Sequence, residues 1–253
     1  MTHVESASAG ANVAIVIGAN RGVGRSTALA LARRRVDVIL TFRSNRAEAK
    51  NVVKAIESLG RKALALRLDV GAADTFTDFA ERLRQILRAH WGAERFSYLV
   101  NNTGHIAAEA ASDLTEAGFK ERADIHLQGV FFLTQHLRPL IADGGRIVNI
   151  SSGLARLNAS GGVASTPIKG AIEALATHMA EEFGPYGDAA ARLATDFVGS
   201  LASDNRALQK GGASITTLGR TGQSDEAGDS IAALLLSDAD QWASAPRISV
   251  PGG

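Results

Sequence analysis

The sequence has no cysteine, two tyrosines, two tryptophans and five prolines among its 253 residues. Without cysteine there is no disulfide, no thiolate nucleophile and no sulfur-ligated metal. Aromatic side chains make up only 5%, which argues against a stacking platform for single-stranded nucleic acid. Neither sign of charge dominates: 27 Lys and Arg face 26 Asp and Glu, for a net charge of +1. That balance gives no bulk attraction to nucleic acid or anionic lipid, so neither is an expected partner. No apolar run approaches the roughly 20 residues a membrane helix needs. The stretch from Met1 to Ala11 has neither the basic nor the apolar region of a signal peptide. The expectation is a cytoplasmic protein, with no membrane, nucleic-acid or metal partner.

What is present is a hydrophobic fraction of 45%, ample for a buried core, and a length that suits one large α/β domain. Short β-branched runs alternate with longer amphipathic stretches. Val13–Ile17, Val36–Phe42, Ala63–Leu68, Tyr98–Val100 and Arg146–Ile150 read as strands. Ser26–Arg35, Arg46–Leu59, Thr75–His90, a long stretch running through Phe131–Leu137, and about Pro167 to Phe183 read as helices. Strands apolar on both faces and separated by helices imply a parallel sheet covered on both sides. The expected fold is a doubly wound α/β Rossmann fold of about seven strands. Residues 1–11 read as a flexible N-terminus and 12–253 as a single domain. The segment from Asp188 to Arg220, rich in Gly, Ala, Ser and Thr, is the least regular and suits a movable substrate cover or a plain surface loop.

The first strand runs into Gly18-Ala19-Asn20-Arg21-Gly22-Val23-Gly24, with a helix directly after. Glycines at this spacing permit positive φ and let backbone N–H groups approach a pyrophosphate at a helix N-terminus. The second strand ends Thr41-Phe42-Arg43-Ser44, with no acid until Glu48. A ribose 2′-hydroxyl is normally gripped by a carboxylate at this tip, whereas a 2′-phosphate needs a cation. Arg43 and Arg21 supply two guanidiniums suited to clamp a phosphate, so the expected cofactor is NADP(H).

Taken together these segments resemble the short-chain dehydrogenase/reductase family over nearly the whole chain, most of all its 3-oxoacyl-acyl-carrier-protein-reductase-like members. The turn Gly18–Gly24 matches the family's nucleotide signature, with Ile17 where Thr is usual. Asp69-Val70 matches the pair that contacts adenine, and Asn101-Asn102-Thr103-Gly104 looks like its NNAG motif. The resemblance implies a cofactor site of Gly18, Asn20, Arg21, Gly22, Val23, Gly24, Arg43, Ser44, Asp69, Val70, Asn101, Gly104 and Lys169. Gly145–Ser152 looks like the strand ending in the catalytic serine, here Ser152, and Lys169–Leu175 like the helix carrying the catalytic lysine, Lys169. The family's tyrosine stands four residues before that lysine, and this chain has Ser165 there. The helix that supplies an asparagine offers His126, and Val198-Gly199 stands where a Pro-Gly turn is expected. Family members are usually tetramers, so a homo-oligomer, tetramer or dimer, is implied.

A phenol with an unperturbed pKa near 10 can protonate a developing alkoxide once an ammonium lowers it, and an aliphatic hydroxyl cannot do so equally well. Three substitutes are open: a water held by Ser165 and Lys169, His105 beside the NNTG motif, and His126. Ser152 suits a hydrogen bond to the carbonyl oxygen of a small-molecule substrate. Ser165 or Thr166 also suits a plain capping role for the helix that holds Pro167. Three functions fit: an NADPH-dependent carbonyl reductase with altered acid chemistry, an impaired NADP(H)-binding subunit or sensor, and a non-redox enzyme on the same scaffold.

Overall fold

The computed structural model describes residues 11–102, 110–152, 163–184, 189–195, 220, 222–237 and 247–250. Seven strands form one sheet: β1 (Ala11–Ile17), β2 (Asp37–Phe42), β3 (Ala63–Arg67), β4 (Phe96–Asn101), β5 (Ile141–Ser152), β6 (Ala189–Thr195) and β7 (Arg247–Val250). Their order is β3-β2-β1-β4-β5-β6-β7, and every neighbouring pair is parallel. Seven helices accompany them: α1 (Gly22–Arg33), α2 (Arg46–Ser58), α3 (Phe76–Trp91), α4 (Glu116–Ala123), α5 (Gly129–Leu137), α6 (Ser165–Phe183) and α7 (Ser224–Leu236).

Side chains alternate across a strand, so β1 feeds two cores. Ala14 and Val16 join Val38, Leu40, Val100 and Val148 beneath α1, α2 and α7. Val13, Ile15 and Ile17 join Ile39, Leu99 and Ile147 beneath α3, α5 and α6. On α3 the expected stripe is buried: Phe76, Phe79, Leu83 and Leu87 are at most 6% exposed, at the spacing of one helix face. The strand order reverses between β1 and β4, and the carboxyl ends of those two strands open the crevice where doubly wound folds place ligands.

Four expectations are corrected. The helix after the glycine turn begins at Gly22, not Ser26, because the glycines themselves form its first turn. The long fourth helix is interrupted: Asp124–Gln128 is one π-helical turn between α4 and α5, an extra residue that no hydrophobic period reveals. Within the stretch read as irregular, Ala189–Thr195 forms β6, paired in register with β5 from Arg146↔Ala189 to Ser152↔Thr195. Its Ala-rich sequence carries little strand propensity, and pairing on both sides makes it a strand. Finally, α6 starts at Ser165 with Ala164 at the N-cap position and no side-chain cap, so Ser165 and Thr166 lie inside the helix and neither is its cap.

Ala11 already belongs to β1, its N–H donating to the Arg95 carbonyl at 3.1 Å. Residues 1–10, and residues 196–219 of the expected cover segment, lie outside the described residues. Arg146, 9% exposed, reaches from β5 to donate to the carbonyls of Leu235 (2.8 Å) and Ser237 (2.7 Å), the carbonyl-rich end of α7 where a cation is favoured.

Candidate cofactor and catalytic site

The phosphate turn is shaped by its backbone. Gly18 (φ +69°) and Gly22 (φ +57°) take left-handed conformations that side-chain-bearing residues avoid. The end of β2 fixes the turn: the Gly18 N–H donates to Thr41 Oγ1 at 3.0 Å and the Ala19 N–H to the Thr41 carbonyl at 2.9 Å. From β4, Asn102 Nδ2 donates to the carbonyls of Ile17 (3.3 Å) and Gly18 (3.2 Å). A Cβ on Gly24 would strike the Asn102 amide and come within 2.6 Å of the Gly18 carbonyl oxygen. The N-cap of α1 is Arg21, with no side-chain cap and no acid in the first turn. Its leading N–H groups and the positive end of its dipole are therefore left for an anion. These residues fit a dinucleotide pyrophosphate.

Around the adenosine end, Arg21, Arg43 and Ser44 are exposed. Asp69 is exposed, its Oδ1 accepting from the Gly71 N–H at 3.0 Å, and Val70 beside it is buried. Two neighbours escaped the sequence reading. Arg67, paired with Phe42 across β2 and β3, donates from Nε to the Arg43 carbonyl at 3.3 Å. Glu48 Oε2 accepts from Asn20 Nδ2 at 2.7 Å. The only sequence signal for this second contact is Asn45, whose side chain caps α2 by accepting from the Glu48 N–H at 3.1 Å.

Asn101 serves the sheet interior. It is 3% exposed, and its Nδ2 donates to Thr134 Oγ1 (3.0 Å) and Asn149 Oδ1 (2.8 Å). Its side chain is therefore a buried tie between β4, β5 and α5, leaving its backbone as the part nearest a cofactor. Gly104 and His105 lie outside the described residues.

At the other end of the crevice, Lys169 is half-buried and donates from Nζ to the Ile150 carbonyl at 2.9 Å. Loss of solvent lowers its pKa from 10.5 to about 8, as expected when an ammonium is packed into protein. Ser152 is the last residue of β5, opposite Thr195. Ser165 opens α6 one turn before Lys169, so the two share a helix face. The side chains of Ser152 and Ser165 lie outside the described residues. Ser151, the residue before, ties α6 to β5, donating to Glu173 Oε1 (3.2 Å) and to the Lys169 carbonyl (3.4 Å). His126 sits in the π turn, 7% exposed, and that turn packs against α6. Tyr98 is half-buried on β4, packed toward the core under α1 and α2, and cannot stand in for the missing phenol.

Among the described residues, no group of three or more His, Asp or Glu is placed to hold a metal ion. None of their helices is long and apolar enough to cross a membrane.

Known proteins agree with this arrangement. The chain is 30% identical over 246 residues, 95% of its length and 96% of the relative's, to an uncharacterized oxidoreductase of Methylorubrum extorquens. The solved structure of LugOII, a promiscuous reductase that catalyses keto-reduction at C1 during lugdunomycin biosynthesis, superposes with a TM-score of 0.88. It is 31% identical, with 98% of both chains covered. The angucycline C-6 ketoreductase LanV, solved with bound NADP, superposes at 0.87 with 26% identity and 97% of both chains covered. Residues 18–253 match the family model described as Enoyl-(Acyl carrier protein) reductase. With its glycine turn, all-parallel sheet and strand-end serine before a helix lysine, the chain belongs to this family of short-chain dehydrogenases/reductases.

Proposed function

We propose that this chain is an NADP(H)-dependent oxidoreductase that reduces a carbonyl of a small or medium organic substrate, with an atypical proton-delivery site. The observation that carries the reading is one crevice holding both an uncapped, glycine-shaped anion turn and a desolvated lysine. The NADP-bound LanV structure and the keto-reducing LugOII support the choice of cofactor and reaction.

NADP(H), when bound, supplies or accepts the hydride. The α1 N-terminus holds its pyrophosphate, and Arg21 and Arg43 hold the 2′-phosphate through charge-assisted hydrogen bonds. Asp69 and Val70 flank the adenine. Near the reacting carbonyl, Ser152 donates a hydrogen bond to the oxygen as charge builds on it. The proton then has to come from a group acidic near neutrality. An ammonium whose pKa is about 8 is a stronger acid than an unperturbed phenol near 10. Lys169 therefore takes over the acidity that the tyrosine provides elsewhere, and a water held by Lys169 and Ser165 carries the proton across the gap. His126 and His105 are the competing donors.

Substitution separates them. Purified wild type is expected to oxidise NADPH against a panel of ketones, and Lys169→Met to lose at least about a hundredfold in kcat, the scale of general acid catalysis. His126→Asn and His105→Ala are expected to stay within severalfold of wild type, and a selective collapse in either would assign the proton to that histidine. If wild type binds NADPH without turnover and Ser165→Tyr gains it, the second reading holds: an NADP(H)-binding subunit with an impaired centre, favoured by the serine at position 165.

Self-association fits the exposed aromatics. Phe119 on α4 and Phe131 and Phe132 on α5 are 44%, 37% and 38% exposed, a costly display for a lone subunit. A homo-oligomer, dimer or tetramer, covers this face.

A further inference from the structure

The tip of β2 has no carboxylate, yet the fold brings one back to the same place from the next helix. Glu48 is the third residue of α2, and its half-buried side chain reaches back across the β2–α2 loop to Asn20 at 2.7 Å. Asn20 lies in the phosphate turn between Gly18 and Gly22, and that turn is fastened to Thr41 at the end of β2. The carboxylate thus sits in the angle between the turn and the loop, the angle that Arg21 and Arg43 flank with exposed guanidiniums. On the far wall, Arg67 holds the Arg43 backbone by its carbonyl, while Arg46, at the start of α2, is exposed to solvent.

A carboxylate in this position has two opposed effects. It accepts a hydrogen bond from a ribose 2′-hydroxyl, and it repels a 2′-phosphate carrying up to two negative charges. We propose that Glu48 sets cofactor selectivity: it offsets part of the arginine clamp, weakens NADP(H), and lets the site accept NAD(H) as well. This inference rests on the dinucleotide site proposed above. The Asn20 amide keeps the acid aimed at the ribose, and the capping of α2 by Asn45 fixes where the acid starts.

Glu48→Gln tests it, because glutamine keeps an oxygen that can accept from Asn20 and removes only the charge. Wild type and variant are titrated with NADPH and with NADH, following nucleotide fluorescence at low and high salt. The variant is expected to bind NADPH about three- to tenfold more tightly, the scale of relieving one partly screened repulsion against a phosphate. Its NADH binding is expected to weaken by about two- to fivefold, and the NADPH gain to shrink as salt rises. A role confined to bracing the turn predicts equal changes for both cofactors, and an unmoved NADPH-to-NADH ratio overturns the inference while wild type still binds NADPH. Wild type that binds neither dinucleotide overturns the cofactor reading itself, and this inference with it.

Discussion

The two ends of the crevice are built differently. The cofactor end is a mesh of short-range ties: Thr41 holds Gly18 and Ala19, Asn102 holds Ile17 and Gly18, and Glu48 holds Asn20. Its exposed cations stand outside that mesh, in water, where a phosphate can reach them. The chemical end has its key cation inside, with Lys169 bound to one carbonyl and stripped of solvent, next to a helix interrupted by a π turn. The first end is made to hold a charge that arrives. The second keeps its own charge uncomfortable, which is the condition a proton donor needs.

The largest effect that would sharpen this contrast comes from Gly24→Val. The new side chain has to enter space held by the Asn102 amide and the Gly18 carbonyl, backbone and sheet atoms that cannot step aside. Binding of NADPH is expected to fall by more than about a hundredfold, while the far end of the crevice is untouched. Retained affinity would show that the turn is more compliant than its hydrogen bonds suggest.

A smaller effect probes the other end through pH. With a folded pKa of about 8 against the usual 10.5, the unfolded chain holds more protons than the folded one between those values. Stability contributed at this site therefore rises with pH from about 8 toward 10 and is lost as pH falls through 8. Melting curves of wild type and Lys169→Met across that range should diverge in this direction. Turnover that uses the ammonium should fade over the same rise in pH, and a flat profile through pH 9 would remove Lys169 as the acid.

The cofactor end was also the more legible in the sequence. The glycine turn could be read because its backbone conformations demand particular residues at fixed spacing, and β1 to β4 because buried parallel strands are apolar throughout. Other features left no local trace. Asn20 and Glu48 are 28 residues apart, and only the winding of β2 beside β1 brings them together. Asp124–Gln128 reads as ordinary helix, since a π turn differs from an α turn in hydrogen-bond register and not in composition. The alanines of β6 became a strand through their neighbours. Lys169 and Ser165 could be placed in order along the chain, but the desolvation that gives the lysine its acidity depends on the packing of α6 on β5.

The smallest expected effect lies away from both ends, as a control. Glu226 is held by Arg220 at 2.8 and 2.6 Å and by the Gln223 N–H at 2.8 Å, which lowers its carboxyl to about 2. The pair is exposed, so Arg220→Ala should shift the melting temperature only slightly near neutral pH and leave NADPH binding unchanged. The stabilising contribution of Glu226 is present above the ordinary carboxylate range and fades as pH falls toward 2. A marked loss of cofactor affinity in Arg220→Ala would mean that α7 communicates with the crevice, and the two-ended description would need a third part.

The widened turn at 124–128 also makes the segment sensitive to reading frame. Removing one residue there would let α4 run straight into α5 and spin everything downstream by about 100°, carrying Phe131 and Phe132 away from their present bearing and Leu133 out of the core. A family built on this scaffold could vary loop lengths freely and still find this one stretch intolerant of a single-codon deletion.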